Sequence, residues 1–445
     1  MMQVTSTRRK ALSDVNRVYA EDQPVHRWYR FVLSFPPHLV RDYLERFGLT
    51  ADDRVLDPFC GTGTTLVECK KLGIPSVGIE AHPMGHFASV VKTDWSPDAA
   101  GLSEHARRVA GAAFAQLDAD GVGDVAIFSN SVDHLRRLPE PAERLLLRGS
   151  ISPVPLHRTL VLLDYLEQLH DRRYAGHERL ALATALVTST SNLHFGPEVG
   201  VGRAKPDASA ITPWLAQIDR MAQDLASANA TASGRAEVLR GDARRDVKLL
   251  APGSVSAVIT SPPYPNEKDY TRITRLESVV LGLIQSKEEL RQLKRQLIRS
   301  NTRGVYKGDG DDAWVAELPT VQRLADAIER RRLELGKTSG FERLYATVTK
   351  LYFGGMARHL ADLRECLRPG ARLAYVVGDQ ASYLRVMIRT GQVLAEIAES
   401  LGYEVLGMDL FRTRLATATK EQLREEVLVL RWPAAGPRTS SASES

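Results

Sequence analysis

The segment RVLDPFCGTGTTLVECKKLGIPSVGIE (54–80) decides the fold. Its apolar start predicts a strand over 54–56, which enters the glycine-rich loop DPFCGTGT (57–64). The stretch TTLVECKKLG (64–73) then predicts a helix, and SVGIE (76–80) predicts a second strand that finishes on an acid. A strand, a crossover helix and a second strand in close succession are typical of a parallel sheet. The segment therefore predicts an α/β domain with a doubly wound sheet.

Further strand patterns extend this sheet later in the chain. They are AEVLRGD (236–242), SVSAVITSPPY (254–264), ARLAYVVGD (371–379), YEVLGMDLF (403–411) and EEVLVLRW (425–432). With the two strands of the opening segment they make a sheet of seven. The last two are separated by a turn rather than by a long crossover helix.

Two long stretches interrupt this core. The first is mainly helical in pattern, apart from SNLHFGPEVGVGRAKPDAS (191–209), whose glycines and prolines predict irregular structure. The second carries many charged residues, with a basic run over 287–308. We predict the following division: an N-terminal helix and the first half of the core (1–94), a mainly helical insertion (95–235), core with the second motif loop (236–284), a charged helical insertion (285–345), the remaining core (346–433) and a disordered tail (434–445).

Charge, cysteine content and hydrophobicity limit the kinds of partner, metal site and location that this protein can have. The 445 residues include 59 Lys plus Arg against 54 Asp plus Glu, and this excess allows nucleic-acid binding if the positive charge is clustered. The cysteines (Cys60, Cys69 and Cys366) have neither metal-ligand spacing nor a disulfide pattern. The sequence has no apolar run that could span a bilayer and no signal peptide at its start. We therefore expect a cytoplasmic protein that holds no metal.

The glycine-rich loop is the first candidate site. At the start of a helix, glycines allow backbone amides to approach a ligand closely, and the helix dipole favours an anionic group. A phosphate-binding P-loop needs a lysine that does not follow Gly63, and a dinucleotide loop needs a glycine where Leu66 stands. The interpretation that remains is a loop for S-adenosylmethionine, which offers a carboxylate and an ammonium instead of a pyrophosphate.

Two acids at the ends of later strands favour this cofactor. Glu80 ends the second strand, where a carboxylate can accept hydrogen bonds from both ribose hydroxyls of an adenosine. Asp242 follows the third strand in LRGDARR and is placed to accept a hydrogen bond from the adenine amino group. Together with the loop, these acids predict an S-adenosylmethionine site.

The second candidate site is the loop TSPPY (260–264) at the end of a strand. Its two prolines fix the backbone and remove N–H donors, which leaves carbonyl oxygens preset as acceptors. The Ser261 side chain and the Pro262 carbonyl could accept the two hydrogens of an exocyclic base amine and direct its lone pair toward a methyl sulfonium. Tyr264 would stack on the extruded base. This arrangement predicts direct transfer of a methyl group to a nitrogen.

The two loops resemble those of the DNA amino-methyltransferases, the N4-cytosine and N6-adenine group. That family carries Asp-Pro-Phe-x-Gly-x-Gly-Thr and [Asp/Asn/Ser]-Pro-Pro-[Tyr/Phe/Trp], which stand here at 57–64 and 261–264. The segment FPPHLV (35–40) is similar to the family segment that lines the methionine end of the cofactor, and LRPGARLAYVVGD (367–379) is similar to its fifth strand. The resemblance implies a doubly wound, seven-stranded, Rossmann-like methyltransferase sheet. It covers the catalytic core and does not explain the two mainly helical insertions that the sequence pattern predicts.

The loops and the resemblance together define the predicted site and its ligands. The cofactor is S-adenosyl-L-methionine, and the partner is double-stranded DNA with a flipped target base. A cognate restriction nuclease is a partner that such an enzyme can have, and the sequence leaves monomer and dimer open. The predicted cofactor-binding residues are Phe35, Pro36, Asp57, Pro58, Phe59, Gly61, Gly63, Thr64, Glu80 and Asp242, and the predicted catalytic residues are Ser261, Pro262, Pro263 and Tyr264.

The target of the reaction stays open between several alternatives. Serine before the two prolines favours N4 of cytosine, since adenine-specific members more often carry aspartate there; N6 of adenine is the first alternative. An RNA base amino-methyltransferase and an inactive cofactor-binding subunit of a complex are the others. The larger insertion lies between the second and third strands of the core, unlike the recognition segments of many family members. Target recognition therefore cannot be mapped by analogy.

Several other residues have competing interpretations. Cys60 lies in the wrong loop for a C5-cytosine nucleophile, so we expect a small buried side chain. The basic run over 287–308 is either a solvated helix face or a phosphate-binding surface. Trp28 and Tyr29 are expected to pack in the core. Four polar residues of the 191–209 segment either contact DNA or belong to a solvated connection: His194, Glu198, Arg203 and Lys205.

Overall fold

The computed structural model describes residues 19–29, 35–125, 134–196, 198–228, 234–266, 268–415 and 422–434. Its strands are β1 (Val55–Asp57), β2 (Ser76–Glu80), β3 (Leu193–Phe195), β4 (Val199–Val201), β5 (Ala236–Arg240), β6 (Val255–Thr260), β7 (Leu367–Gly378), β8 (Glu404–Leu415) and β9 (Gln422–Arg431). Seven of them form one sheet in the order β5-β2-β1-β6-β7-β9-β8. The predicted seven-stranded α/β sheet is confirmed.

The helices of the core and of the first insertion are α1 (Pro37–Arg46), α2 (Thr64–Lys71), α3 (Pro83–Thr93), α4 (Ala99–Ala119), α5 (Glu140–Glu143), α6 (Pro153–Gln168), α7 (Ala175–Ala185) and α8 (Ile211–Ala228). Those that follow are α9 (Tyr270–Ile273), α10 (Arg275–Val280), α11 (Lys287–Gln296), α12 (Pro319–Glu334), α13 (Tyr345–Leu363) and α14 (Thr390–Ser400). Within the described ranges, no helix combines the length and the apolar character needed to cross a membrane.

The direction of the strands determines where a ligand can bind. The five neighbouring strands β5, β2, β1, β6 and β7 are mutually parallel, whereas β9 is antiparallel to both β7 and β8. The strand order runs outward in opposite directions from the adjacent pair β1 and β6. In a doubly wound sheet, the carboxyl ends of strands at such a switch point form a crevice that binds ligands. The loops that follow β1 and β6 are the two motif loops, and strand pairing brings them together.

Both faces of the sheet are covered by helices because its central strands are apolar on both sides. Successive residues of a strand point to opposite faces. Leu56 and Val258 pack on one face in a cluster with the buried side of α13. Val55 and Ile259 pack on the other face with α1. This double burial explains why the parallel strands have continuous apolar sequences rather than alternating ones.

The two insertions are stabilised in different ways. Helices α4, α6, α7 and α8 of the first insertion share a hydrophobic cluster, which also contains Trp28 and Tyr29 and part of α3. The indole Nε1 of Trp28 donates to Asp224 at 2.9 Å, which confirms that Trp28 is a core residue. The second insertion instead contributes Val321 and Ile328 of α12 to the main core cluster.

The structure corrects the prediction of irregular structure over 191–209. β3 and β4 form an antiparallel pair there, with Phe195 opposite Val199. Each strand has only three residues, Leu193–Phe195 and Val199–Val201, which is too short a run for its alternation of apolar residues to indicate a strand. Burial is also incomplete, since His194 and Val201 are exposed and only Val199 is buried.

Candidate active site

A cavity of about 570 Å³ lies at the carboxyl ends of β1, β2, β5 and β6. Both motif loops line it, although about 200 residues of sequence separate them. The predicted site residues that line the cavity are Phe35, Pro58, Phe59, Gly61, Thr64, Glu80, Asp242, Ser261, Pro262, Pro263 and Tyr264. The other three support it from outside: Asp57 is buried at the end of β1, Pro36 precedes α1, and Gly63 precedes α2.

The glycine-rich loop is held by contacts within the protein. Gly61 and Gly63 have φ angles of +53° and +83°, which favour glycine. A Cβ at position 63 would lie 3.2 Å from the Cα of Ser89, so the backbone there packs closely on α3. The Ser89 hydroxyl donates to the carbonyl of Gly61 at 2.8 Å. The backbone of the loop therefore packs closely against α3.

Asp57 fastens the glycine-rich loop to the neighbouring strand. Its Oδ1 accepts hydrogen bonds from the Thr260 hydroxyl at 2.6 Å and from the amide of Phe59 at 3.2 Å. Because Thr260 directly precedes Ser261, this carboxylate joins the two motif loops at their roots. Burial raises the pKa of Asp57 to about 6, and these hydrogen bonds oppose the rise. Asp57 thus sets the relative position of the loops.

Glu80 accepts one backbone hydrogen bond on each carboxylate oxygen. The amide of Gly61 donates to Oε2 at 2.8 Å, and the amide of His82 donates to Oε1 at 2.7 Å. A carboxylate oxygen can accept more than one hydrogen bond, so acceptor capacity remains toward the cavity. Burial raises the pKa of Glu80 to about 7, because a buried carboxyl group loses the hydration that favours its ionised form.

Asp242 lines the cavity but also makes a buried ion pair that its sequence context did not indicate. Arg244 donates from Nε to Oδ1 at 2.9 Å and from Nη2 to Oδ2 at 2.7 Å. The same guanidinium reaches Asp311 of the second insertion. This two-pronged contact fixes the orientation of the Asp242 carboxylate. It also ties the predicted adenine end of the cavity to a distant part of the chain.

The Ser-Pro-Pro-Tyr loop presents acceptors and an aromatic ring. The Ser261 hydroxyl donates its hydrogen to the carbonyl of Val376 on β7 at 3.1 Å, so its lone pairs are available to accept. The ring of Tyr264 packs against the backbone of Gly378, where an added Cβ would lie 3.0 Å from the Cε2 of the tyrosine. Burial, followed by the nearby carboxylate of Glu425, raises the pKa of Tyr264 above its ordinary value. The phenol therefore stays neutral.

The cavity contains charged residues that sequence reasoning missed. Arg412 and Glu425 are cross-strand partners on β8 and β9, and Nη2 donates to Oε1 at 2.8 Å. Lys268 also lines the cavity; burial lowers the pKa of its ammonium, as does Arg414, while Glu425 and Glu198 oppose the decrease. Arg412 and Glu425 could have been suspected because they are charged residues within strand patterns. Lys268 gave no such signal, since the charges that face it, Arg414, Glu425 and Glu198, are far from it in sequence.

Two cavity residues that could suggest other chemistry have structural roles. His82 accepts from the amide of Met84 on Nδ1 and bonds the Thr274 hydroxyl through Nε2, and burial lowers its pKa to about 4. Cys60 is buried, and a Cβ at Gly78 would lie 2.8 Å from its Sγ. Burial raises the pKa of this thiol well above its ordinary value. Cys60 is therefore a packed neutral thiol, as expected.

The basic run over 287–308 is partly internal rather than a free surface. Lys294 pairs with Asp269 at 2.7 Å, and Arg299 is buried against Asp309, with Nη2 and Oδ1 2.7 Å apart. These two cations are therefore committed to holding α11 and the segment that follows it. Within the described ranges, no three His, Cys, Asp or Glu side chains are grouped so that they could hold a metal ion.

Comparison with known proteins supports the resemblance. A family model described as DNA methylase matches residues 4–86, which contain the glycine-rich loop. Type II methyltransferase M.BsoBI of Geobacillus stearothermophilus is 25% identical over 435 residues, which cover 90% of this chain and 83% of that protein. Type II methyltransferase M.AvaI of a Nostoc species is 25% identical over 444 residues, covering 93% and 87%.

A shorter match concerns an RNA-modifying enzyme. The tRNA (guanine(10)-N2)-dimethyltransferase of Methanothermobacter thermautotrophicus is 37% identical over 62 residues, which cover only 14% of this chain and 18% of that protein. It therefore shares a local segment, whereas the two Type II methyltransferases match nearly end to end. The chain is thus related to the DNA amino-methyltransferases of the N4-cytosine and N6-adenine group, as its two loops indicate.

Proposed function

We propose that this chain transfers a methyl group from S-adenosylmethionine to an exocyclic amine of a flipped base in duplex DNA, with N4 of cytosine as the preferred target. The observation that carries the proposal is the complementarity of the two loops within one cavity. One side has a half-buried carboxylate, Glu80, suited to an adenosine, and the other has the acceptor Ser261 and the ring of Tyr264 suited to a base amine.

The cofactor side of the cavity fits the amino-acid and nucleoside parts of S-adenosylmethionine. Glu80 retains acceptor capacity for ribose hydroxyls, and Asp242 is held in a fixed orientation by Arg244. Phe59 and Pro58 supply apolar walls for an adenine ring. When bound, the cofactor supplies a methyl group on a positively charged sulfur. The protein's task on this side is to bind and orient it.

The other side of the cavity suits an amine whose lone pair is delocalised into a ring. The Ser261 oxygen accepts one N–H because its own hydrogen is directed to Val376. The carbonyl of Pro262 accepts the second. As the nitrogen–carbon bond forms and the sulfur–carbon bond breaks, the nitrogen gains positive charge, which both acceptors stabilise. The amine then loses one proton to solvent.

Tyr264 holds the base in this geometry. Its ring rests on the backbone at Gly378, so its position is fixed before the base arrives. Stacking of a base on an aromatic side chain contributes about 1–3 kcal/mol. The neutral phenol keeps the ring free of a charge that would repel the electron-rich base.

The preference for cytosine rests on Ser261 and on a nearby cation. Serine at this position resembles the cytosine-specific members of the family. Beside its amine, cytosine presents two acceptors, N3 and O2, whereas adenine presents only N1 on the same edge. Lys268, a half-buried cation that lines the cavity, suits the additional acceptor.

The test is methyl transfer by the purified full chain to duplex DNA and, separately, to tRNA and rRNA, followed by mass spectrometry of the nucleosides. We expect N4-methylcytosine in DNA, and loss of one transition-state hydrogen bond in Ser261→Ala should slow transfer by about 100-fold. Ser227→Ala, an exposed serine at the end of α8, is the matched control and should leave the rate unchanged.

The other outcomes separate the alternatives. N6-methyladenine in DNA would overturn the choice of cytosine. Methylation of RNA without methylation of DNA would overturn the choice of substrate. Cofactor binding without transfer to any nucleic acid would identify the chain as an inactive binding subunit.

A further inference from the structure

The antiparallel pair β3 and β4 extends from the first insertion toward the active-site cavity. His194 pairs with Gly200, and Phe195 pairs with Val199. Glu198, at the end of this pair, lines the same cavity as Ser261 and Tyr264. The β3–β4 pair is therefore the part of the first insertion that reaches the proposed base pocket.

A buried asparagine holds the end of the β3–β4 pair that lies at the start of β3 and the end of β4. Asn192 donates from Nδ2 to the carbonyl of Gly149 at 2.9 Å and accepts on Oδ1 from the amide of Lys205 at 2.7 Å. Its backbone bonds Ser150 and Gly202, at 2.8 and 2.7 Å. This asparagine thus ties the chain before β3 to the chain after β4, and both to the loop before α6. A π-helical turn over Leu186–Thr190 leads into it.

Beyond this held end, the pair exposes polar side chains and the backbone of a glycine to solvent. His194, Glu198 and Arg203 are exposed. Arg203 makes no ion pair or hydrogen bond with any residue the structure describes. A Cβ added at Gly200, directly opposite His194, would meet no atom within 4 Å. Glycine weakens a strand, and these exposed side chains add nothing to a core. We therefore interpret this face of the pair as a surface for a partner.

The partner that fits is duplex DNA. A two-stranded β-ribbon has the width to enter the major groove, and arginine and glutamate are side chains that distinguish guanine and cytosine there. The proximity of Glu198 to the base pocket limits which base pairs the ribbon can contact. Each strand has three residues at about 3.4 Å per residue, so the ribbon spans roughly three base pairs.

We propose that the β3–β4 pair enters a groove of the DNA and recognises the base pairs beside the methylated base, through His194, Glu198 and Arg203. This inference rests on the proposed function, because it needs a DNA substrate. It assigns target recognition to a defined six-residue ribbon and the arm that follows it, rather than to the helices of the first insertion.

The sharpest test is Gly200→Val in the full chain. Valine suits a strand, and its Cβ would meet no atom within 4 Å in the folded protein, so thermal unfolding and cofactor affinity should match the wild type. If the open face lies in a groove, the added isopropyl group should weaken productive DNA binding, raising KM for a preferred duplex by about tenfold. Gly340→Val, where a Cβ also meets nothing within 4 Å, is the matched control in the second insertion.

The second test asks whether the ribbon recognises sequence. Wild type, His194→Ala and Arg203→Ala methylate a library of random duplexes, and modified bases are identified by direct sequencing. Loss of a base contact should reduce preference at one position near the target base by about 5–150-fold, with other positions unchanged. Uniform loss at all sequences would indicate a phosphate contact and overturn base recognition.

The outcomes distinguish this inference from the proposed function. If the wild type methylates no DNA, the proposed function fails. If the wild type methylates a defined sequence, and Gly200→Val, His194→Ala and Arg203→Ala methylate it at the same rate and with the same preference, the proposed function stands and the role of the ribbon is wrong.

Discussion

The two motif loops leave adjacent strands at the same edge of the sheet, yet they are built in opposite ways. In the glycine-rich loop (57–64), the backbone amides of Phe59, Cys60, Gly61 and Gly63 all donate to acceptors within the protein. The Ser-Pro-Pro-Tyr loop (261–264) has two residues without an amide hydrogen, and the hydroxyl of its serine donates to a backbone carbonyl of β7. Four amides of the first loop are thus engaged within the protein, whereas the second loop retains acceptors.

This difference indicates how the work is divided. In the proposed function, the glycine-rich loop, whose shape is fixed by Asp57, Glu80 and Ser89, binds the cofactor. The Ser-Pro-Pro-Tyr loop then supplies the lone pairs and the aromatic ring for the reacting amine. Changes in the first loop should therefore affect cofactor affinity, and changes in the second should affect methyl transfer while leaving affinity intact. The following predictions test this separation.

The largest effect is expected from Gly61→Arg. Position 61 lines the cavity and has a φ of +53°, so the substitution adds backbone strain and fills the cofactor side with a long side chain. We expect S-adenosylmethionine binding to be lost, as measured by calorimetry and by cofactor-dependent thermal stabilisation. Gly48→Arg is the matched control: it has a φ of +66° and lies outside the cavity. Equal affinities in the two variants would contradict the assignment of this loop.

The placement of the two loops could be predicted from sequence because it follows from local rules. A strand, a glycine-rich turn and a helix define a βαβ unit, and ligands bind at the carboxyl ends of parallel strands. Ser261 and Glu80 follow strands with strong apolar patterns, so their positions at one edge were predictable. No comparable rule gave the Arg244–Asp311 ion pair, because its formation depends on how the second insertion folds back on the core.

The β3–β4 pair was missed for a different reason. Sequence patterns reveal strands when one face is buried and the other is exposed. Here Val199 is the one buried residue of the pair, and each strand has only three residues, fewer than the run that a pattern needs to indicate a strand. The conformation of the pair is set by Asn192 and the loop at 149–152, about 40 residues earlier in the chain. A short pair that is held by contacts distant in sequence is therefore difficult to predict from its own residues.

The next effect is expected from Tyr264→Ala. Loss of stacking should lower kcat/KM for DNA by about 5–150-fold, while affinity for S-adenosylmethionine should change by less than about twofold. Tyr264→Phe keeps the ring on Gly378 and should retain most of the activity, because the neutral phenol is not needed for stacking. Single-turnover transfer and calorimetry measure the two quantities. A large loss of cofactor affinity in Tyr264→Ala would show that this residue contacts the cofactor rather than the base, and the proposed difference between the loops would be wrong.

The smallest effect, and the one that separates the loops without any substitution, is the pH dependence of cofactor affinity. Burial raises the pKa of Glu80 to about 7, and ribose hydroxyls donate better to the ionised carboxylate than to the protonated acid. Affinity should therefore be full above that pKa and fall as pH decreases through about 7, by up to tenfold per unit of pH until the pKa of the bound form is reached. Asp57, with a pKa of about 6, can add to the decrease at lower pH.

The second loop should show no such dependence. Ser261 does not titrate, and the pKa of Tyr264 is raised above its ordinary value, so the rate of transfer from the cofactor-saturated complex should stay flat across the same range. His82 is the nearby imidazole of the cavity, but burial lowers its pKa to about 4. His82→Asn, which keeps a cap for α3, should preserve the pH profile. If that variant abolished the dependence, or if the dependence appeared in the transfer step instead, Glu80 would not be the group whose ionisation binds the cofactor.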